Sequence, residues 1–451
     1  MSGSLLSDML ARISETGRAL IGGDEPAPLI ERAEALLRAD GEATGTARAR
    51  AILDDYAALD RDGRAAFLAQ MAERFATDTA ALDAAIAAYQ DAPGPDTARA
   101  LHIVSEPRSQ ELLRLMNRAP GGTEALVRMR EDLLAAMRAD PGLAGLDGDF
   151  RHLFSSWFNR GFLELRRVDW QTPAAILEKI IQYEAVHAIQ DWSDLRRRVG
   201  APDRQLYGFF HPALSDEPLI FVEVALTAEI PGAIGPILAG ERATLDPANA
   251  TTAVFYSISN CQIGLRGISF GSFLIKQVVE ELRRDFPRLS TFVTLSPVPG
   301  FAAWLAGAGV DVDTLGRGRV VPVAAIGAGL EGGAGIPGDG VELPDRARVQ
   351  AARAEALSAL AAHYLTAVKR PDGGPMNPVA RFHLGNGARL ERINPDADAS
   401  PRGQAESHGV MVNYLYALDD IERNHEAYAA RFEIAQSSAV RRLARNAPLP
   451  A

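Results

Sequence analysis

The sequence predicts an α+β protein in two parts, an all-α helical bundle followed by an α/β domain. Three observations carry this expectation. At 451 residues the chain exceeds what one typical core accommodates. Its first third is rich in Ala, Leu and Arg, with apolar residues at helical spacing. After Asn159 the texture turns to β-branched and aromatic runs separated by helical segments, which is the pattern of an α/β or α+β domain. The expected division is residues 1–155 and 156–451.

In the first part, PLIERAEALLRAD, RARAILDDYAAL, ALVRMREDLLAAM and HLFSSWFNRGF each carry the apolar stripe of an amphipathic helix. The Pro- and Gly-bearing stretches DAPGPD and RAPGG separate them. The N-terminal LLSDMLARI reads as a further amphipathic helix rather than a secretory signal. This part contains no chemical motif, so packing or oligomerisation is its expected role. In the second part FLELRRVDW, QLYGFFHP, EPLIFVEVALT, TAVFYSIS and TFVTLS read as strands, with AILEKIIQYEAV and FLIKQVVEELRRDF as helices between them. A glycine-rich stretch over 306–345 precedes one long helix, RARVQAARAEALSALAAHYLTAV.

The 47 basic and 58 acidic residues give a formal charge of −11, which argues against a general binder of nucleic acid or anionic membrane. An anionic ligand would need a local site. A single cysteine, Cys261, excludes an internal disulfide framework and a cysteine zinc site; small core filler is its expected role. No apolar run approaches the roughly 18 residues of a membrane span, and RNAPLPA carries no peroxisomal tripeptide, so a cytoplasmic protein is expected. Neither H-E-x-x-H nor H-x-H occurs, so no metal site is predicted.

Gly327, Gly329 and Gly332 fit G-x-G-x-x-G, yet the following GGAGIPGDG with Pro337 is incompatible with the helix a dinucleotide site requires. FYSISNCQIGLRGISFGSFLIKQVVEEL is a better anion site. A strand runs into a turn with Gly264, Gly267 and Gly271, and a helix then begins with Leu274, Val278 and Leu282 on one face. Free N–H groups at a helix start bind phosphate, and Arg266 would add a charge-assisted bond. Glycines serving only tight packing remain an equal alternative. The next strand leads into TLSPVPGF. A crossover connection returns that strand parallel to the first, which puts Ser296 on the same sheet edge as the glycine loop, and Pro297 narrows the directions its hydroxyl can take. Among the histidines, His383 lies between Phe382 and Leu384 ahead of a Gly-Asn-Gly turn, with His211 and His408 as competitors.

Taken together, GFLELRRVDWQTPAAILEKI, FFHPALSDEPLIFVEVALT, the glycine-loop segment, TFVTLSPVPGFAAWL and MNPVARFHLGNGARLERINPDADASPRGQAESHGVMVNYLY resemble the malonyl-CoA decarboxylase family. They stand in family order over most of residues 160–420. The resemblance implies a helical N-terminal bundle and a catalytic domain of the GCN5-related acetyltransferase fold, acting on malonyl-CoA without a cofactor, in a homo-oligomer. It makes Ser296 and His383 catalytic and assigns Arg266, Gly267, Ile268, Ser269, Phe270, Gly271 and Ser272 to binding CoA. Tyr416, His211, Asn260 and Pro297 are candidates for the substrate pocket. The implied chemistry is loss of carbon dioxide to a thioester enolate held by hydrogen-bond donors, then protonation at carbon. Two alternatives stay open: an acyl-CoA N-acyltransferase on the same fold, with Glu223 or His383 as base, and a non-catalytic malonyl-CoA sensor.

Overall fold

The computed structural model describes residues 27–39, 41–214, 216–268, 274–315 and 346–448. The LLSDMLARI helix, the Gly327–Gly332 motif and the glycine-rich stretch beyond Leu315 lie outside the described residues. The chain divides into two compact units, one from residues 1–164, 209–219 and 260–271, the other from residues 165–208, 220–259 and 272–451.

The first unit contains the helices Leu29–Leu37 (α1), Glu42–Ala58 (α2), Arg61–Arg74 (α3), Thr79–Asp91 (α4), Pro95–Ser105 (α5), Arg108–Asn117 (α6), Gly122–Ala136 (α7) and Ala144–Trp157 (α8). Their boundaries follow from local chemistry. The carboxylates of Asp60 and Asp78 accept from Gly63 N and Ala81 N and so satisfy free N–H groups at the starts of α3 and α4. Pro95 opens α5, where its missing N–H costs nothing. The apolar stripes of α2, α3, α6, α7 and α8 meet in a core that includes Leu53, Phe67, Met71, Leu112, Met116, Leu126, Leu133 and Phe150, all buried.

Arg130 on α7 is the notable polar member of this core, at 1% exposure. Its Nε donates to Asp147 (2.8 Å), and its Nη1 donates to the carbonyls of Gly264 (2.6 Å) and Arg266 (3.0 Å). A buried guanidinium is tolerated only when its charge and donors are met, and these acceptors supply one carboxylate and take three of its five N–H groups. The same turn rests on α7 directly, since a Cβ on Gly264 would lie 1.9 Å from the Val127 carbonyl oxygen. Gly264 therefore serves close packing. Gly267, at φ +78°, serves the turn itself.

The second unit is built on a mixed sheet. Its strands are Glu164–Val168 (β1), Arg204–Phe210 (β2), Pro218–Thr227 (β3), Thr252–Asn260 (β4), Thr291–Thr294 (β5), Ser296–Pro297 (β6), Arg389–Asn394 (β7) and Met411–Leu415 (β8). The order is β1-β2-β3-β4-β5-β8-β6, with β7 also paired to β8. The β-branched and aromatic runs read as strands in the sequence all become strands. Around them lie the helices Ala174–Tyr183 (α9), Trp192–Gly200 (α10), Gly235–Leu238 (α11), Leu274–Asp285 (α12), Phe301–Gly307 (α13), Arg346–Thr366 (α14), Pro378–Gly385 (α15), Pro401–Ser407 (α16), Ile421–Arg431 (α17) and Ser438–Arg445 (α18). The α+β architecture agrees with expectation: helices first, then a mixed sheet.

The β4-α12-β5 crossover forms as the spacing predicts. β4 and β5 are parallel neighbours, with Thr252 opposite Thr291 and Phe255 opposite Thr294, so their carboxyl ends share one edge. α12 buries Leu274, Val278 and Leu282, the face read from the sequence. At Ser296 the structure departs from a strand that simply stops. The chain leaves β4 after Leu295 N donates to Phe255 O (3.0 Å), and Ser296–Pro297 pairs antiparallel with β8, Ser296 opposite Val412. β6 is a sheet edge, where the missing N–H of Pro297 costs least.

The helix that carries His383, α15, is closed by a Schellman motif. Ala388 N donates to the His383 carbonyl and Gly387 N to that of Leu384, each at 3.0 Å, with Gly387 left-handed at φ +80°. A Cβ at Gly387 would also lie 2.1 Å from the Ile421 carbonyl oxygen. Gly387→Ala is therefore expected to cost more than about 2 kcal/mol in urea unfolding, from the left-handed penalty plus the displaced start of α17. A loss below about 0.5 kcal/mol would show that the cap tolerates a side chain.

Candidate active site

Side chains alternate across a strand, so Thr294 and Ser296 share one face, as do Tyr414 and Tyr416. β5 and β6 keep one register against β8, Val293 opposite Leu415 and Ser296 opposite Val412. Between those pairs side chains take over the bonding: Asn413 Nδ2 donates to Thr294 O (2.8 Å) and Tyr414 N donates to Thr294 Oγ1 (3.1 Å). From α15, His383 reaches Ser296, Tyr414 and Tyr416.

The polar contacts form one continuous chain. Ser296 Oγ lies 3.1 Å from His383 Nε2 and donates to Thr294 Oγ1 at 2.8 Å, while His383 Nδ1 lies 2.8 Å from the Tyr416 hydroxyl. All four residues are buried: Thr294 at 0%, Tyr416 at 2%, His383 at 3% and Ser296 at 6% exposure. The Tyr414 ring stacks on the imidazole, with centroids 4.6 Å apart and planes 25° apart, and Phe382 meets it edge-on at 5.1 Å. Two hydrogen bonds in plane and aromatic rings around it leave the imidazole one orientation.

Electrostatics follow from the same burial. Among the described residues no carboxylate bonds His383, and burial pushes its pKa down to about 3, so the ring is neutral at physiological pH. Burial likewise raises the Tyr416 phenol above its ordinary value, so it stays protonated. The cluster holds no net charge. It offers hydroxyl and imidazole hydrogens in a dry setting, where donors act most strongly on developing negative charge.

Other residues singled out by sequence lie elsewhere. Pro297 follows Ser296 in β6 and is half-buried; Asn260 ends β4 and is exposed. His211 belongs to the helical unit. Ala213 N donates to its Nδ1 (3.1 Å), which leaves Nε2 to donate to the Trp157 carbonyl (3.1 Å), and its ring packs on Phe158 at 4.9 Å. Both its nitrogens are thus engaged by backbone groups. His408 terminates α16 in a left-handed conformation. Of the glycine loop, Arg266 and Gly267 are exposed and Ile268 is buried, whereas Ser269, Phe270, Gly271 and Ser272 lie outside the described residues. Glu223, a base under the transferase reading, is 1% exposed and ion-paired, with Arg198 Nη1 at 3.2 Å from Oε2. Burial, with the Glu184 charge nearby, pushes its pKa up to about 7. Among the described residues no three His, Cys, Asp or Glu side chains converge in a metal-binding set.

Thr294 and Tyr414 escaped the sequence reading. Their signal was present: each stands two positions before a residue that was singled out, Ser296 and Tyr416, and so shares its face.

The chain is similar to known proteins over both of its parts. Residues 161–450 match the family described as malonyl-CoA decarboxylase C-terminal domain, and residues 75–158 match malonyl-CoA decarboxylase N-terminal domain. The mitochondrial malonyl-CoA decarboxylase of Anser anser anser is 41% identical over 352 residues, covering 74% of this chain and 69% of the relative. The crystal structure of malonyl-CoA decarboxylase from Rhodopseudomonas palustris superposes with a TM-score of 0.82 at 51% identity, covering 92% of this chain and 98% of that one. That from Agrobacterium vitis gives 0.81 at 50% identity, covering 92% and 99%. Matches of this extent, over both parts of the chain, mean that it belongs to the malonyl-CoA decarboxylase family, a family of carboxy-lyases.

Proposed function

We propose that the chain converts malonyl-CoA to acetyl-CoA and carbon dioxide, with Ser296 and His383 as the groups that meet the reacting malonyl thioester. The observation that carries this reading is the buried Ser296 Oγ to His383 Nε2 hydrogen bond of 3.1 Å in a chain of this family. The substrate supplies its own electron sink. When the bond between the α-carbon and the carboxylate breaks, its electron pair passes into the thioester to form an enolate, and carbon dioxide departs. The enolate then takes one proton at carbon, drawn ultimately from solvent. Malonyl-CoA plus one proton thus balances acetyl-CoA plus carbon dioxide, and no redox partner enters.

The enzyme has to hold the carboxylate out of the thioester plane and stabilise the enolate oxygen. A neutral imidazole suits the second task. An imidazolium would need an environment that stabilises charge, and the apolar rings around His383 oppose that. A neutral N–H donor in a dry site carries no such cost, and a hydroxyl beside it completes a pair. Removing one such donor costs roughly 3 to 4 kcal/mol at the transition state. Ser296 needs no covalent role, because decarboxylation requires no acyl-enzyme. Arg266 to Ser272 would hold the CoA moiety, with the exposed Arg266 guanidinium available for its phosphates. The family match does not favour the transferase or the sensor.

Incubated with malonyl-CoA alone, the protein is expected to release carbon dioxide and acetyl-CoA. Ser296→Ala and His383→Asn should each lower kcat by about 10²- to 10³-fold. Wild-type protein that leaves malonyl-CoA intact until an amine is added would instead be a transferase. Near-normal turnover in either variant would remove that residue from the mechanism. Arg266→Ala tests the CoA assignment independently: KM for malonyl-CoA should rise about tenfold with kcat little changed, as for loss of one charge-assisted bond. An unchanged KM would move the phosphate contacts elsewhere.

A further inference from the structure

The Ser296 hydroxyl has one hydrogen and two neighbours able to accept it, Thr294 Oγ1 at 2.8 Å and His383 Nε2 at 3.1 Å. Which neighbour receives it determines the polarity of the whole chain. If it goes to His383, Nε2 carries the lone pair, Nδ1–H donates to Tyr416, and the pair has the base-and-nucleophile arrangement of acyl transfer. If it goes to Thr294, the serine oxygen accepts from Nε2–H, and Tyr416 donates to Nδ1. His383 is then a donor directed toward Ser296, the arrangement that enolate stabilisation needs.

The geometry at Thr294 selects the second case, with Ser296 Oγ as donor and Thr294 Oγ1 as acceptor. Thr294 itself cannot drift. It is fully buried; its Oγ1 also accepts from Tyr414 N, and its carbonyl accepts from Asn413 Nδ2. Through Tyr414 it is tied to the ring that stacks on His383. We infer that Thr294 is a positioning residue: by taking the Ser296 hydrogen it holds His383 in the tautomer with hydrogen on Nε2, so that the imidazole is a donor that can turn from Ser296 Oγ to an enolate oxygen rather than a base for a serine nucleophile.

This inference rests on the decarboxylase reading for its purpose, but not for its test. Solid-state 15N NMR of histidine-labelled full-length protein reports the tautomer directly, with the His383 signal identified by its loss in His383→Asn. Wild type should show the Nε2–H form. Thr294→Val keeps the shape and removes the acceptor; it should shift His383 toward the Nδ1–H form and lower kcat about tenfold or more, with KM for malonyl-CoA within about twofold. Thr294→Ser should restore both tautomer and kcat. The inference is overturned if wild type shows Nδ1–H, or if Thr294→Val keeps Nε2–H with near-normal kcat. Should Thr294→Val not fold, the wild-type tautomer and the Thr294→Ser variant still decide, because Thr294→Ser must retain Nε2–H. Wild-type protein with the Nε2–H form but no carbon dioxide release would refute the decarboxylase reading alone.

Discussion

The hydrogen bond between Ser296 and His383 joins residues 87 positions apart, and the arrangement of the second unit serves to make it. Ser296 is placed by a strand that changes partner, leaving β4 for β8 within two residues. His383 is placed by a short helix whose last carbonyls are tied down by the Gly387 cap. β8 runs antiparallel along both β5 and β6 in one register, with β7 on its other edge, and supplies the Tyr414 and Tyr416 rings that fix the imidazole. Moving any one of these elements would break the bond or rotate the ring. A hydrogen bond depends on angle as well as distance, so small displacements matter.

Burial is what turns this geometry toward the proposed chemistry. The imidazole is kept neutral by burial, and among the described residues its partners are two hydroxyls rather than the carboxylate of a hydrolase triad. A carboxylate at Nδ1 would favour the imidazolium and a base role; a phenol that stays protonated at Nδ1 does not. On the proposed reading, the phenol behind the histidine favours a donor over a base. The turn that follows β4 shows comparable care: in the helical unit the Arg130 guanidinium holds the Gly264 and Arg266 carbonyls from a buried position.

Much of the architecture was legible because it is local. Helix stripes, the β4-α12-β5 crossover and the apolar face of α12 depend on residue spacing within a few tens of positions. The sequence also singled out Ser296, from its Ser-Pro context, and His383, between two apolar residues, and the structure brings the two within hydrogen-bond distance. The pairing of β8 along β5 and β6 was not legible, because antiparallel pairing across more than a hundred residues leaves no periodic trace. Thr294 and Tyr414 went unread for the same reason: a threonine in an apolar run and a tyrosine in YLY are ordinary strand residues until β8 arrives beside β5. The role of Gly264 became clear only against the Val127 carbonyl.

The central claim is that His383 works as a neutral donor. The pH dependence of kcat for malonyl-CoA tests it most directly, because kcat reports ionisations in the enzyme–substrate complex. With the His383 pKa near 3, the imidazole stays in its neutral N–H form across the working range. The account predicts a kcat that is level from about pH 5.5 to 8, with no ionisation near the ordinary histidine value of about 6.5. A kcat that falls as pH rises through about 6 to 7 would mean that an imidazolium does the work, and would contradict it.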